Sequence, residues 1–380
     1  MRGFSQSVSA ALLVLAVGCG QEMSDEERSG SKAAEVMDTR NLELGLSQRV
    51  PEQAAFHVPG ELLFRYATFG GNGRTCETCH GLETGTLNPA EIQARFAANP
   101  NDPLFRPIDS DDGTGQRYNR LLTRGTILVK VPLAPNVKLE ADPTATHIVL
   151  ERGIPSTINA PAFDSVLMFD GREPDLESQA LSAVLSHAEP DRLPQPIHLK
   201  MIASYEREQF SSDILRQYAK GGPAPTLPPG NTEAQIRGRK FFEPGGLCAA
   251  CHSGPMLNEV PVGNVLKLRP GLQFARPAVS DVNVSQRPVH RFRVTLPNGT
   301  VRTLFSPDPG RMLITGVLSD FNTHKINSLW NVNKTAPYFH DNSAPTLEAV
   351  MVQYQRFFQM IGLSFTPEQQ SDVVEYMQLL

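Results

Sequence analysis

The chain carries Cys76-Glu77-Thr78-Cys79-His80 and, further on, Cys248-Ala249-Ala250-Cys251-His252. Cys-x-x-Cys-His is the attachment site of a c-type haem, and no other feature so narrows what the chain can fold into. Two thiols must reach two vinyl groups of one porphyrin, so they stand about one turn apart, and the next histidine takes the iron as proximal ligand. A lone Cys-x-x-Cys also suits a redox dithiol, half a zinc site or a disulfide. A dithiol needs no following histidine, and a shared zinc site would have to join segments 172 residues apart. Two complete copies favour two covalent haems, held at Cys76, Cys79, Cys248 and Cys251 and ligated by His80 and His252.

The remaining cysteine, Cys19, belongs to the N-terminus. Arg2 and the short apolar run Val8 to Val17 read as an export signal too short to span a bilayer. The run ends Leu15-Ala16-Val17-Gly18-Cys19, like a lipoprotein cleavage site that would leave Cys19 lipidated; an ordinary secretory signal is the alternative. Residues 20–50 are polar and charged and read as a tether. The expectation is an exported, periplasmic protein that meets a membrane through a lipid anchor only. No cysteine is left for a disulfide, so cores and cofactors must hold the fold. Net charge is −5 with no basic block, which argues against nucleic acid as a partner. Thirty-one prolines in 380 residues suit a loop-rich fold around cofactors.

Landmarks repeat around the two motifs. Pro59 to Phe69 has helical spacing and leads through Gly70-Gly71-Asn72-Gly73 to Cys76; Glu233 to Phe242 leads through Gly245-Gly246 to Cys248. Cys76 to Asp170 spans 94 residues and Cys248 to Asp341 spans 93, and Leu176 and Leu347 each follow six residues after the aspartate. This predicts two related haem domains, 51–220 and 233–380, joined by a Gly/Pro-rich linker at 221–232. Strand-like inserts lie at Thr126–Leu133 with His147–Leu150, and at His290–Leu296 with Thr300–Phe305 around Pro297-Asn298-Gly299. Asp175 and Thr346 are placed to cap helices over Leu176–His187 and Leu347–Phe358. The first would turn Leu176, Ala180, Leu181, Val184 and Leu185 inward. The last helix opens on the capping box Thr366-Pro367-Glu368-Gln369. The fold class expected is mainly α: two cytochrome c-like haem domains related by internal duplication, with short β-hairpin inserts.

Beyond the two haem motifs, the chain carries Arg152-Gly-Ile-Pro-Ser-Thr-Ile-Asn159, Phe169-Asp-Gly-Arg172, Leu176-Glu-Ser-Gln-Ala180, Asp308-Pro-Gly-Arg311 and Thr335-Ala-Pro-Tyr-Phe-His340. With these the chain resembles the bacterial di-haem cytochrome c peroxidases and their MauG-like relatives over roughly residues 55 to 380. The resemblance implies an oxidoreductase of the cytochrome-c peroxidase type. A small donor protein, a cytochrome c or a cupredoxin, would reduce the C-terminal haem, and the N-terminal haem would reduce hydrogen peroxide. It also implies an inter-domain Ca2+. The MauG-like alternative modifies a partner protein instead, and a third reading is an electron-transfer cytochrome without catalysis.

By position the resemblance puts Glu189 as the acid–base carboxylate and Gln179 as the distal glutamine of the peroxidatic haem. Phe169 stands where the family usually has Trp between the haems, and Asp170, Arg172, Asn159 and Asn331 would organise the interface and propionates. His147 is either a removable sixth ligand or a strand residue without iron contact. The methionine common among the peroxidases is Ser328 here, so the second haem's sixth ligand would be Tyr338, as in the MauG type, or Met312. Trp330, the sole tryptophan, reads as core packing.

Overall fold

The computed structural model describes residues 52–282 and 287–380. The export signal, Cys19 and the tether expected at 20–50 lie outside them. Among the described residues the longer helices are α1 (Glu52–Tyr66), α2 (Pro89–Ala98), α3 (Asn119–Arg124), α4 (Leu176–Ala183), α5 (Pro196–Glu206), α6 (Asp213–Ala219), α7 (Glu233–Arg239), α8 (Leu347–Met360) and α9 (Pro367–Met377). The strands are β1 (Ile127–Pro132), β2 (Val137–Leu139), β3 (His147–Arg152), β4 (Phe274–Ala275), β5 (His290–Thr295), β6 (Val301–Ser306) and β7 (His324–Lys325). The fold is mostly helical with small antiparallel sheets. No described helix is long and apolar enough to cross a membrane.

Each haem motif is approached by a helix that crosses a later one at a glycine. A Cβ on Gly60 would stand 2.0 Å from the Met201 carbonyl oxygen, and one on Gly238 would stand 2.0 Å from that of Asp372. Only glycine lets α1 meet α5, and α7 meet α9, backbone to backbone. One turn after each glycine, Phe64 meets Tyr205 at 5.2 Å and Phe242 meets Tyr376 at 5.3 Å between ring centroids. These pairs seal each crossing with buried apolar area. Two more landmarks recur: Leu167 bridges Glu173 ahead of α4, and Tyr338 bridges Ala344 ahead of α8.

Local chemistry sets the helix ends. The Asp175 carboxylate accepts from Ser178 N at 2.7 Å, and the Thr346 hydroxyl accepts from Ala349 N at 3.3 Å. At α9 the Thr366 and Gln369 side chains each accept from the other's backbone N–H. The helix expected over Leu176–His187 departs from plan at its end. It widens into a π-helical turn, Val184–Ala188, and Leu185 points outward, 48% exposed, rather than into the core. Leu176, Ala180 and Val184 are buried as expected.

The inserts do not stay within their halves. β1 pairs with β3, from Ile127 opposite Arg152 to Pro132 opposite His147. β5 and β6 form the hairpin around Gly299. β2, from the first half, then joins the outer side of β5, with Val137 opposite Val294. Phe292, Val294, Met312 and Leu313, all fully buried, thus share one core with Leu104, Leu121 and Val131. At roughly 1.5–3 kcal/mol for each large apolar side chain buried, this ties segment 290–313 to the first half despite the linker at 221–232. A separate core of Phe242, Leu257, Met351, Phe358 and Tyr376 surrounds the second haem motif.

Candidate haem sites

Cys76–Cys79 forms a single helical turn, and Cys248–Ala250 a tighter 3-10 turn, so in each motif the two cysteines stand about one turn apart. Each motif histidine is locked the same way. His80 Nδ1 lies 2.7 Å from the Gly85 carbonyl oxygen, and His252 Nδ1 lies 2.8 Å from that of Leu257, five residues on in both cases. An imidazole whose Nδ1–H is given to a carbonyl presents a bare Nε2, the form a metal binds. Burial pushes both histidines toward the neutral form. Burial also pushes the thiols up, Cys248 to about 12 and Cys251 to about 11, with Cys76 and Cys79 moved the same way. Such thiols are poor nucleophiles for disulfide exchange. The donor set and surroundings fit two covalent haems.

The first site opens into a cavity of about 1290 Å³, mouth included. Cys76, Cys79 and His80 line it. So does a stripe from α4 and the π-helical turn: Leu176, Gln179, Ala180, Ala183, Val184, His187 and Ala188. Its 3-1-3-1-3-1 spacing is one helix face. Three alanines leave room for a flat ring, and Gln179 and His187 carry the only polar heads on the stripe. His187 is a functional candidate that the sequence reading missed. Its Nδ1 is buried without a hydrogen-bond partner, and burial holds its basicity down to about 4.

Glu189 does not line this cavity. It is exposed, takes a left-handed backbone (φ 47°), and accepts from Asn72 Nδ2 at 2.8 Å. The same amide also donates to the His187 carbonyl at 3.0 Å, and Asn72 N donates to that of Ala188 at 2.8 Å. A Cβ on Gly71 would stand 2.0 Å from the Ala188 carbonyl oxygen. The Gly71-Asn72 loop therefore clamps the turn from behind. His147 is also outside the cavity: it opens β3, five residues from Arg152, roughly 16 Å along an extended strand. Alternation places Ile148, Leu150 and Arg152 on the buried face and His147 on the other.

Phe169, Arg152 and Arg172 line the cavity between the motif and the second half. Arg152, 2% exposed, donates Nε and Nη2 to Asp308 at 2.7 and 3.0 Å, and Nη1 to Asp170. Arg172 Nη1 reaches Asp170 at 2.8 Å. Burial opposes charge on Arg152 and Asp170, and their mutual pairing more than reverses it. Asn159 clamps Ser211 through both ends of its amide at 2.9 Å, and Asn331 is buried in a left-handed turn. Phe169 also meets His340 edge-on at 6.5 Å, and His340 stacks on His324 at 3.6 Å.

At the second site, Tyr338 and Trp330 pack in the core that Cys248 also contacts. Tyr338 Oη donates to the Val332 carbonyl at 2.8 Å, and burial pushes the phenol up to about 12. Trp330 Nε1 donates to Pro255 O at 2.7 Å. Met312 lies in the other core, with Leu121 and Phe292. Tyr354, unnoticed in the sequence, is half-buried near Cys251 and Cys248; burial pushes its phenol up, and the two thiols add to that. Among the described residues one trio could hold a metal ion: Asp308, His324 and His340, with donor atoms within 4.8 Å. Ca2+ takes roughly six to eight oxygens. This trio offers two nitrogens and a carboxylate already bound by Arg152 and by Gly310 N, so it does not fit the calcium that the resemblance implies.

No protein-family model matches the chain. A cytochrome c551 peroxidase of Nitrosomonas europaea is 35% identical over 75 residues, 20% of this chain; the match spans about a fifth, 22%, of that relative's length. The fold is similar to that of a MauG-like protein associated with microbial copper homeostasis: TM-score 0.50, 18% identity, 87% of this chain and 90% of the other. Hydrazine synthase of Kuenenia stuttgartiensis aligns more loosely, with TM-score 0.44 and 14% identity over 98% of this chain and 100% of the other. Local sequence and fold thus agree with the resemblance to the di-haem cytochrome c peroxidase and MauG-like family read from the motifs.

Proposed function

We propose that the chain is an exported di-haem c-type peroxidase that reduces hydrogen peroxide to water with electrons from a small donor protein. The observation that carries this is the first cavity, lined both by a locked His80 and by a polar-tipped helix face. When bound, the haems supply the redox chemistry: an electron store at each site and an iron face that can take peroxide at the first. The protein supplies the rest. Cys76, Cys79 and His80 would hold the first haem, and Cys248, Cys251 and His252 the second. The Gln179 amide can orient peroxide by hydrogen bonds. The alanines and Val184 keep that helix face apolar, which limits water around the reacting oxygens. Arg172 and Arg152, paired with buried aspartates, stand ready for carboxylates at the cavity edge. The repeated crossings at Gly60 and Gly238 support an origin of the two halves by duplication.

Tyr338 favours a second reading, the MauG-like oxidase acting on a partner protein, because it packs against the core that Cys248 also contacts, while Met312 lies in the other core. Steady-state oxidation of a reduced small cytochrome c by the holoprotein separates the two. Peroxide-dependent turnover is expected; peroxide consumption without donor oxidation would select the oxidase, and inertness to peroxide would sink both.

A further inference from the structure

Resting on the peroxidase reading, we infer that His187, rather than Glu189, is the catalytic acid–base residue at the first haem. The helix face that lines the cavity from Leu176 to Ala188 presents two groups able to meet a small polar ligand, Gln179 and His187. They are eight residues apart on one stripe, with small or apolar residues between. His187 lies at the end of that stripe, within the π-helical turn. Such turns are rare and are found often at functional sites.

Glu189 is directed elsewhere by the same turn. It is the first residue past it, its φ of 47° reverses the chain, and its carboxylate is held by Asn72 on the exposed side. Asn72 also fixes the His187 and Ala188 carbonyls. Swinging Glu189 inward would cost it the bond to Asn72. In the structure His187 lines the cavity and Glu189 does not.

His187 differs from the proximal histidines in one respect that decides its role. His80 and His252 each anchor Nδ1 on a backbone carbonyl, as iron-binding histidines do. His187 Nδ1 has no such acceptor. An unanchored ring is poorly suited to permanent ligation and well suited to exchanging a proton with a ligand across the cavity. In the step it serves, the imidazole takes the proton from the near oxygen of hydrogen peroxide and returns it to the far oxygen as the O–O bond breaks. Two electrons come from the donor protein, two protons from solvent, and two waters leave.

The test compares holoprotein, His187→Ala, His187→Gln and Glu189→Gln in stopped flow, with peroxide and separately with hydrogen cyanide. Cyanide must also lose a proton to bind, but its uptake needs no turnover. Retained absorption of both haems in each variant shows that the fold and proximal ligation survive. Positioned acid–base groups contribute about 100-fold or more. Both His187 variants are expected to lose about that factor in both reactions, and at least about tenfold more than Glu189→Gln. His187 variants that react like wild type, or a larger loss in Glu189→Gln, would overturn the inference. If wild type takes up cyanide but does not turn over peroxide, the peroxidase reading fails alone, and the cyanide rates still decide the place of His187.

Discussion

Glu206 offers a quantitative test of how the first cavity is built. It ends α5, is 4% exposed, lines the cavity, and its Oε2 has no hydrogen-bond partner. Burial pushes its carboxyl up to about 8; Arg207 opposes this and Glu177 adds to it. The folded value lies above the ordinary 4.5, so the folded state prefers the protonated acid. Its stabilising effect is complete below the unfolded value and is lost as pH rises through the folded one. Between pH 5 and pH 8 linkage gives a loss of roughly 3–4 kcal/mol from this group. Glu206→Gln removes the titration while keeping shape and an uncharged head. Urea unfolding of the two holoproteins from pH 5 to 8.5 should show the variant gaining on wild type by about that amount. A difference that stays constant within about 0.5 kcal/mol, the size of an ordinary surface change, would refute the assignment of Glu206 as a buried neutral acid.

Other consequences are simpler. Arg152→Met leaves two buried carboxylates, Asp308 with Gly310 N and Asp170 with Arg172; a loss of about 3–5 kcal/mol is expected in urea unfolding, and a loss below about 1 kcal/mol would show the network to be solvated. Gly238→Ala forces a methyl against the Asp372 carbonyl and should cost about 1–3 kcal/mol. Gly60→Ala should cost a similar amount, because its crossing has the same 2.0 Å approach. Asp175→Ala removes the α4 cap and should cost about 1 kcal/mol, measured in the same way.

Local signals in the sequence translated well into structure. The capping residues Asp175, Thr346 and Thr366, and the turn at Pro297-Asn298-Gly299 each act within a few residues, and each appears where its chemistry requires. Several failures depend on partners distant in sequence. Nothing local to Val137 says that it will pair with Val294, nor that Met312 will sit in the first-half core. The approach glycines were legible as residues, but their carbonyl neighbours at Met201 and Asp372 were not. Leu185 was misjudged for a local reason: nine residues after Leu176, a 3.6-residue period sets it on the opposite face. Glu189 lies just past the π-helical turn, where the chain reverses at a left-handed residue. The stripe through His187 could have been found by extending the 3-1 spacing from Leu176.

The account stands on each half clasping its own haem through two thioethers. Mass spectrometry of the denatured holoprotein, before and after proteolysis, tests that most directly. The prediction is a polypeptide heavier by two haems, one retained on the peptide holding Cys76 and Cys79 and one on that holding Cys248 and Cys251. Free cysteines at either pair after maturation in a haem-competent host, or zinc in place of haem, would contradict it.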